Sequence, residues 1–280
     1  MAAMKVAAST FPYLYSHDGL GALKHLHGMG YSMFEMMIFP PHCWPRELLA
    51  GQRADYKSWL DDTGTSITSF CIPLLDNNPN GVDVLMREYT LDRYREALDL
   101  AAEWGCPYVC AIPGPVNSLI NPPYDWMRDW FVEGMKQLVD HSKGTGVEII
   151  LENVPFTFLP TAQDMLDVAN DISSDMGINF DVCNSAFIKE DVAGAIKLLG
   201  DRIKNVHISD SGYEEFLHSR LGTGIVDVKE TGDALQEIGY DKVTVLEIIA
   251  DALQPGNDPD SDIPASHAIL AEAGWEPLGG

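Results

Sequence analysis

Four residues in this 280-residue chain have the types and the spacing to bind a metal: Glu152, Asp181, His207 and Glu247. Each closes or interrupts a short apolar run: Glu-Ile-Ile-Leu-Glu, Ile-Asn-Phe-Asp, Ile-Lys-Asn-Val-His and Val-Thr-Val-Leu-Glu. The gaps between them are 29, 26 and 40 residues. A strand, a helix and two turns need about 30 residues, so the four fall at matching places on successive strand–helix units. A barrel of parallel strands would gather such strand ends at one mouth. Three carboxylates and one imidazole gathered there would repel one another unless a divalent cation sat among them.

The elements needed to position them can be followed along the whole chain. Strands are expected at Lys5–Ala8, Tyr31–Ile38, Ser66–Ile72 and Tyr108–Ile112, at a fifth run ending on Glu152, and at Ile178–Val182, Ile203–Ser209 and Val243–Ile249. Helical stretches follow them, from Asp18, Pro45, Thr90, Asp125, Thr161, Asp191, Asp227 and Pro264. Long connections are expected at Pro73–Tyr89, Asp210–Val226 and the acidic Asp251–Asp262. Thr161-Ala-Gln-Asp164 reads as a capping box. Eight alternations without linker composition predict one α/β domain over residues 1–280, a single (β/α)8 TIM barrel, with its chemistry on the C-terminal ends of the strands. The first strand–helix turn is Ser9-Thr-Phe-Pro-Tyr13 rather than a glycine-rich fingerprint, which argues against an open dinucleotide-binding sheet.

Bulk properties narrow the function. Acidic residues outnumber basic ones 42 to 18, giving a net charge of −24. That field repels a phosphate backbone, so nucleic acid is not an expected partner. No apolar run reaches the roughly 18 residues of a membrane span, so no membrane association is expected. Five scattered cysteines without a Cys-x-x-Cys pair read as reduced core residues of a cytoplasmic protein.

Leu151-Glu152-Asn153, Phe180-Asp181-Val182-Cys183-Asn184, Val206-His207-Ile208-Ser209-Asp210, His218-Ser-Arg-Leu-Gly-Thr-Gly224 and Val245-Leu246-Glu247 together resemble the xylose-isomerase-like TIM-barrel superfamily of sugar isomerases and epimerases. The resemblance implies that Glu152, Asp181, His207 and Glu247 hold one divalent cation, Mn²⁺ ahead of Mg²⁺ or Co²⁺. It implies that Glu152 and Glu247 serve as catalytic base and acid on opposite faces of a keto sugar or cyclitol, through an enediolate. It also implies that His218 contacts the substrate or binds a second metal. Position 184 is Asn where many relatives carry His, and Asn184 would bond a substrate oxygen. Some relatives run the same chemistry as elimination, so a lyase or dehydratase acting on a keto-inositol or 3-keto-glycoside stands as an alternative. A metal-binding barrel without catalysis, serving as a subunit of a larger assembly, is a third reading. Self-association into a homo-oligomer is a further expectation.

Further pocket candidates come from position alone. Glu35 lies inside the second strand, and His42 and Trp44 lie in the proline-rich loop after it. Arg220 stands ready for a substrate carboxylate or phosphate, and Asp210 either orients His207 or serves the turn chemistry of its loop.

Overall fold

The computed structural model describes residues 3–73, 76–117, 119–249 and 258–279. Eight parallel strands close on themselves in sequence order: β1 (Lys5–Ser9), β2 (Met33–Met37), β3 (Ser66–Cys71), β4 (Tyr108–Ala111), β5 (Glu148–Glu152), β6 (Gly177–Asp181), β7 (Ile203–Ile208) and β8 (Val243–Leu246). β8 pairs back onto β1 through Lys5–Val243 to Ala8–Leu246, so no sheet edge is left open. This is a (β/α)8 TIM barrel. Its strands are short runs buried nearly throughout, as expected where helices cover one face and the barrel interior the other.

The outer layer is α1 (Gly19–Gly28), α2 (Ala50–Thr63), α3 (Val84–Trp104), α4 (Tyr124–Ser142), α5 (Ala162–Ile172), α6 (Val182–Phe187), α7 (Val192–Leu199), α8 (Val228–Glu237) and α9 (Pro259–Glu272). Many begin on an acidic or hydroxyl cap. The side chains of Asp18, Asp83, Thr161, Asp181, Asp191 and Asp227 each accept a backbone N–H of the turn they open. Such caps satisfy amides that lack helical partners and place negative charge at the positive end of the helix dipole. Part of the chain's acidity is therefore structural.

Three helix starts differ from the sequence expectation. α3 begins at Val84 rather than Thr90, because Asp83 caps it and shortens the predicted loop. α2 begins at Ala50 rather than Pro45. α9 begins at Pro259, with Pro264 carried inside it. Of the predicted acidic connection, residues 251–257 lie outside the described residues, and 258–262 form the cap and first turn of α9. The five cysteines are free and buried. Among the described residues, no helix is long and apolar enough to cross a membrane.

Candidate metal centre

The C-terminal ends of β5 to β8 carry the four residues singled out by type. Glu152 is the last residue of β5 and Asp181 the last of β6. His207 is the penultimate residue of β7, paired in register with Asp181, and Glu247 directly follows β8. One donor atom from each lies within 4.8 Å of the others. All four are buried, none more than 4% exposed. His207 Nδ1 stands 3.5 Å from Glu152 Oε1 and 3.4 Å from Glu247 Oε2.

Glu152 Oε2, Asp181 Oδ2 and His207 Nδ1 are buried and lack hydrogen-bond partners among the described residues. Buried polar atoms in folded proteins are nearly always satisfied, so orphaned donors clustered at one point fit a cation. The donor set, three carboxylates and one imidazole, fits a divalent ion that accepts oxygen and nitrogen together. Among the described residues, the charged partners of these carboxylates are histidines alone, with no Lys or Arg.

The electrostatics follow from that crowding. Burial alone would lower the His207 pKa, but Glu35, Glu247 and Glu152 around it hold it well above the ordinary value. Burial, then the charges of Glu247 and Glu152, raise the Asp181 carboxyl well above its usual range. Burial also pushes Glu247 up to about 7, against the pull of His207. Without a cation the cluster therefore retains protons at neutral pH.

The centre is braced from behind. His207 Nε2–H donates to Glu35 Oε2 at 2.7 Å, and Ser69 Oγ donates to the same oxygen at 2.8 Å. With Nε2 bonded to Glu35, Nδ1 is the ring atom that faces the carboxylates, and it would turn its lone pair to a cation that displaced its proton. Asp181 is fixed by the Asn184 N–H on Oδ1 (2.7 Å) and by a two-way bond with Asn153: Nδ2 to the Asp181 carbonyl at 3.0 Å, and the Asp181 N–H to Oδ1 at 2.8 Å.

The other sequence candidates divide. Glu35, expected among the substrate contacts, is fully buried and holds the far side of the His207 ring. Of the two readings of Asp210, the structure takes the loop one: it does not orient His207. Its carboxylate accepts the N–H groups of Ser211, Gly222, Thr223, Gly224 and Val226. It thereby folds the loop whose Gly222 has φ +80° and whose Gly224 leaves no room for a Cβ beside Ser211 O. His218 is brought to the centre, with Nδ1 3.3 Å from Glu247 Oε2 and 2.9 Å from Ser209 Oγ. Burial first, then His207, lower its pKa to about 3, so it is neutral. Asn184 spends its Nδ2 on the Asn153 carbonyl (2.8 Å), while its Oδ1 has no partner. His42 and Trp44 line a cavity beside α2 that none of the four donors touches. Arg220 is solvent-exposed. Sequence reasoning missed Ser69 and Asn153. Asn153, next to Glu152 in Leu-Glu-Asn, carried the stronger signal.

A family profile described as a xylose isomerase-like TIM barrel matches residues 23–273. Fructoselysine 3-epimerase from Shigella flexneri is 24% identical over 239 residues, 81% of this chain and 84% of that protein. An uncharacterized protein of Methanocaldococcus jannaschii is 28% identical over 181 residues, 62% of each chain. Among solved structures, a D-tagatose 3-epimerase-like protein superposes with a TM-score of 0.82 at 23% identity, covering 96% of this chain and 97% of that one. The IolI protein with a bound zinc atom gives 0.80 at 18% identity, over 96% and 98%. At those identities the structural likeness establishes the fold.

Proposed function

The chain belongs to the xylose isomerase-like TIM-barrel family, and from that premise we propose that it is a divalent-metal-dependent isomerase or epimerase of a keto sugar or keto cyclitol. The observation that carries the reading is the convergence of unpartnered, buried donors from Glu152, Asp181 and His207, with Glu247 beside them. The epimerase named among the relatives supports the reaction class. The four residues would hold the ion. Their carboxylate-rich set favours Mn²⁺ ahead of Mg²⁺ or Co²⁺, and the zinc of the IolI structure supports a transition metal. When bound, the ion supplies Lewis-acid stabilisation of negative charge on the sugar carbonyl and its neighbouring hydroxyl.

The chain's own groups supply the proton traffic. One glutamate, Glu152 or Glu247, takes the proton from the carbon beside the carbonyl on a carboxylate oxygen. The other returns a proton from the opposite face, inverting that carbon. Well-placed proton transfer of this kind contributes about 10²–10⁴-fold. Neutral His218 and Ser209 hold the Glu247 side of the site, and the near-complete burial of the cluster keeps bulk water from the reacting carbon. With no Lys or Arg paired to the cluster among the described residues, the site favours an uncharged substrate over a phosphorylated one. The buried, free cysteines support a reducing, cytoplasmic setting, and we take residues 1–280 as one domain. Exposed apolar side chains at Leu85, Leu119, Ile120 and Trp126 support self-association.

A second reading, elimination from a keto-glycoside or keto-inositol, has one observation in its favour. Phe156, Phe187 and Phe216 pack together with ring centroids 5.0–5.9 Å apart, and Phe216 meets His218 edge-on at 5.1 Å. Phe156 is 53% exposed, so an apolar wall runs from the centre to solvent and suits a sugar with a bulky substituent.

The test is proton exchange in D₂O, followed by NMR, with Mn²⁺-loaded protein and a panel of ketoses, keto-inositols and 3-keto-glycosides. Deuterium entering beside the carbonyl together with a new epimer or isomer is the expected result. Loss of water or release of an aglycone would establish the lyase. Absence of exchange across the panel, with metal bound, would favour a non-catalytic metal-binding barrel.

A further inference from the structure

His42 and Trp44 are not spent on the metal centre, and the cavity they line has its own chemistry. It lies between the start of α1 and α2, with a volume of about 340 Å³, within the range of small-molecule sites. Asp18, Glu47 and Asp55 contribute three carboxylates to its lining, Gln52 an amide and Trp44 an indole. Neither Lys nor Arg lines it. The nearby Arg46 and Arg53 are engaged elsewhere, with Glu96 and Glu103.

The second, independent observation is His42. It is 2% exposed, and its Nδ1–H donates to the His17 carbonyl at 2.9 Å. That bond fixes Nε2 as a bare acceptor, and Nε2 is buried without a partner among the described residues. Burial holds the imidazole pKa below its ordinary value, against the pull of the His17 carbonyl and Asp18. A buried acceptor left unpaired is costly, so the site calls for a ligand with an N–H or O–H to offer. Three carboxylates and an indole face select a cation among such ligands.

We propose that this cavity binds a small organic ammonium ion, a linear diamine matching it best. One ammonium donates to His42 Nε2 at the buried end. The carboxylates balance the charge, and Trp44 covers the alkyl chain or a cationic head. The site is independent of the metal centre and of the reaction proposed for it.

The test is isothermal titration of the whole protein with 1,4-diaminobutane and with 1,4-butanediol, its uncharged counterpart, at about 0.15 M salt, which screens surface attraction. Saturable one-site binding of the diamine and none of the diol is expected. Trp44→Ala should weaken the diamine about tenfold. Asp55→Asn, at an exposed position that leaves folding intact, should weaken it several-fold. His42→Phe should abolish it, with a thermal melt to verify folding. Metal-loaded and metal-stripped protein should bind alike. Equal binding of diol and diamine would overturn the proposal, as would diamine binding unchanged in Trp44→Ala and Asp55→Asn. Binding that disappears on loading the metal would place the diamine at the four-residue cluster and overturn it equally.

Discussion

The two halves of the barrel end differently. β5 to β8 close on Glu152, Asp181, His207 and Glu247, all buried and converging. β1 to β4 close on Ser9, Met37, Cys71 and Ala111. There Met37, Cys71, Cys110, Ile112, Leu14 and Ile150 form an apolar cluster of their own. One half stores charge that needs an ion, and the other fills the barrel largely with apolar groups, among which the Cys71 and Cys110 sulfurs lie within 4.8 Å of Glu247 and His207 respectively. The charged exception is Glu35 on β2, which reaches across to His207. The contrast teaches that the packed half serves the charged half chiefly through that one carboxylate.

The largest expected effect separates the halves directly. Glu152→Gln and Glu247→Gln should each lower kcat by about 10²–10⁴-fold at saturating metal, since each removes a proton-transfer group. Met37→Leu, a volume-conserving change at the matching strand end of the other half, should cost less than about 1.5 kcal/mol in stability and leave kcat unchanged. Steady-state epimerisation rates and thermal melts measure both. Loss of activity in Met37→Leu, or full activity in either glutamine variant, would break the division.

The next effect sharpens the exception. Glu35→Gln keeps a hydrogen-bond acceptor but removes the charge that fixes the His207 tautomer. Metal affinity should fall about 10–100-fold, with activity largely restored by excess metal. Metal titration followed by calorimetry reads the affinity. An unchanged affinity would mean that Glu35 only fills space.

Glu35 also marks where the sequence stops being legible. The four converging residues could be found because their types are rare at the ends of apolar runs and their spacing matches the fold's repeat. The barrel was legible for the same reason, eight runs alternating with helical stretches. The role of Glu35 depends on a register shift in the β2–β3 pairing between Phe34 and Glu35, after which Glu35 lies opposite Ser69. A bulge re-aims a side chain without leaving a mark in composition. Sequence alone leaves Asp210 between two readings for a related reason. Its nearness to His207 in sequence suggested a partner, but five loop N–H groups claim its two oxygens. Asp210→Asn replaces one acceptor oxygen by a donor and should cost about 1–3 kcal/mol of stability, read from denaturant unfolding.

The smallest effect, taken per pH unit, is a slope that Glu247 gives to the metal-free protein and that bound metal removes. Burial raises Glu247 from an ordinary 4.5 to about 7 in the metal-free barrel. Between those values the folded state holds a proton that the unfolded chain has lost, so the metal-free protein loses stability as pH rises. The slope approaches about 1.4 kcal/mol per pH unit for that one proton. Asp181 and His207, both raised, act in the same direction. A bound cation needs these groups deprotonated. Metal affinity should therefore climb with pH up to about 7 for Glu247, and binding should release protons. Calorimetric titrations in buffers of different ionisation enthalpy count those protons, and thermal melts from pH 5 to about 8 should fall with pH for the metal-free protein and lose that fall once metal is bound. If melts of both forms moved together with pH, the charge stored at β5 to β8 would be balanced from within the protein, and the contrast between the two halves would lose its physical basis.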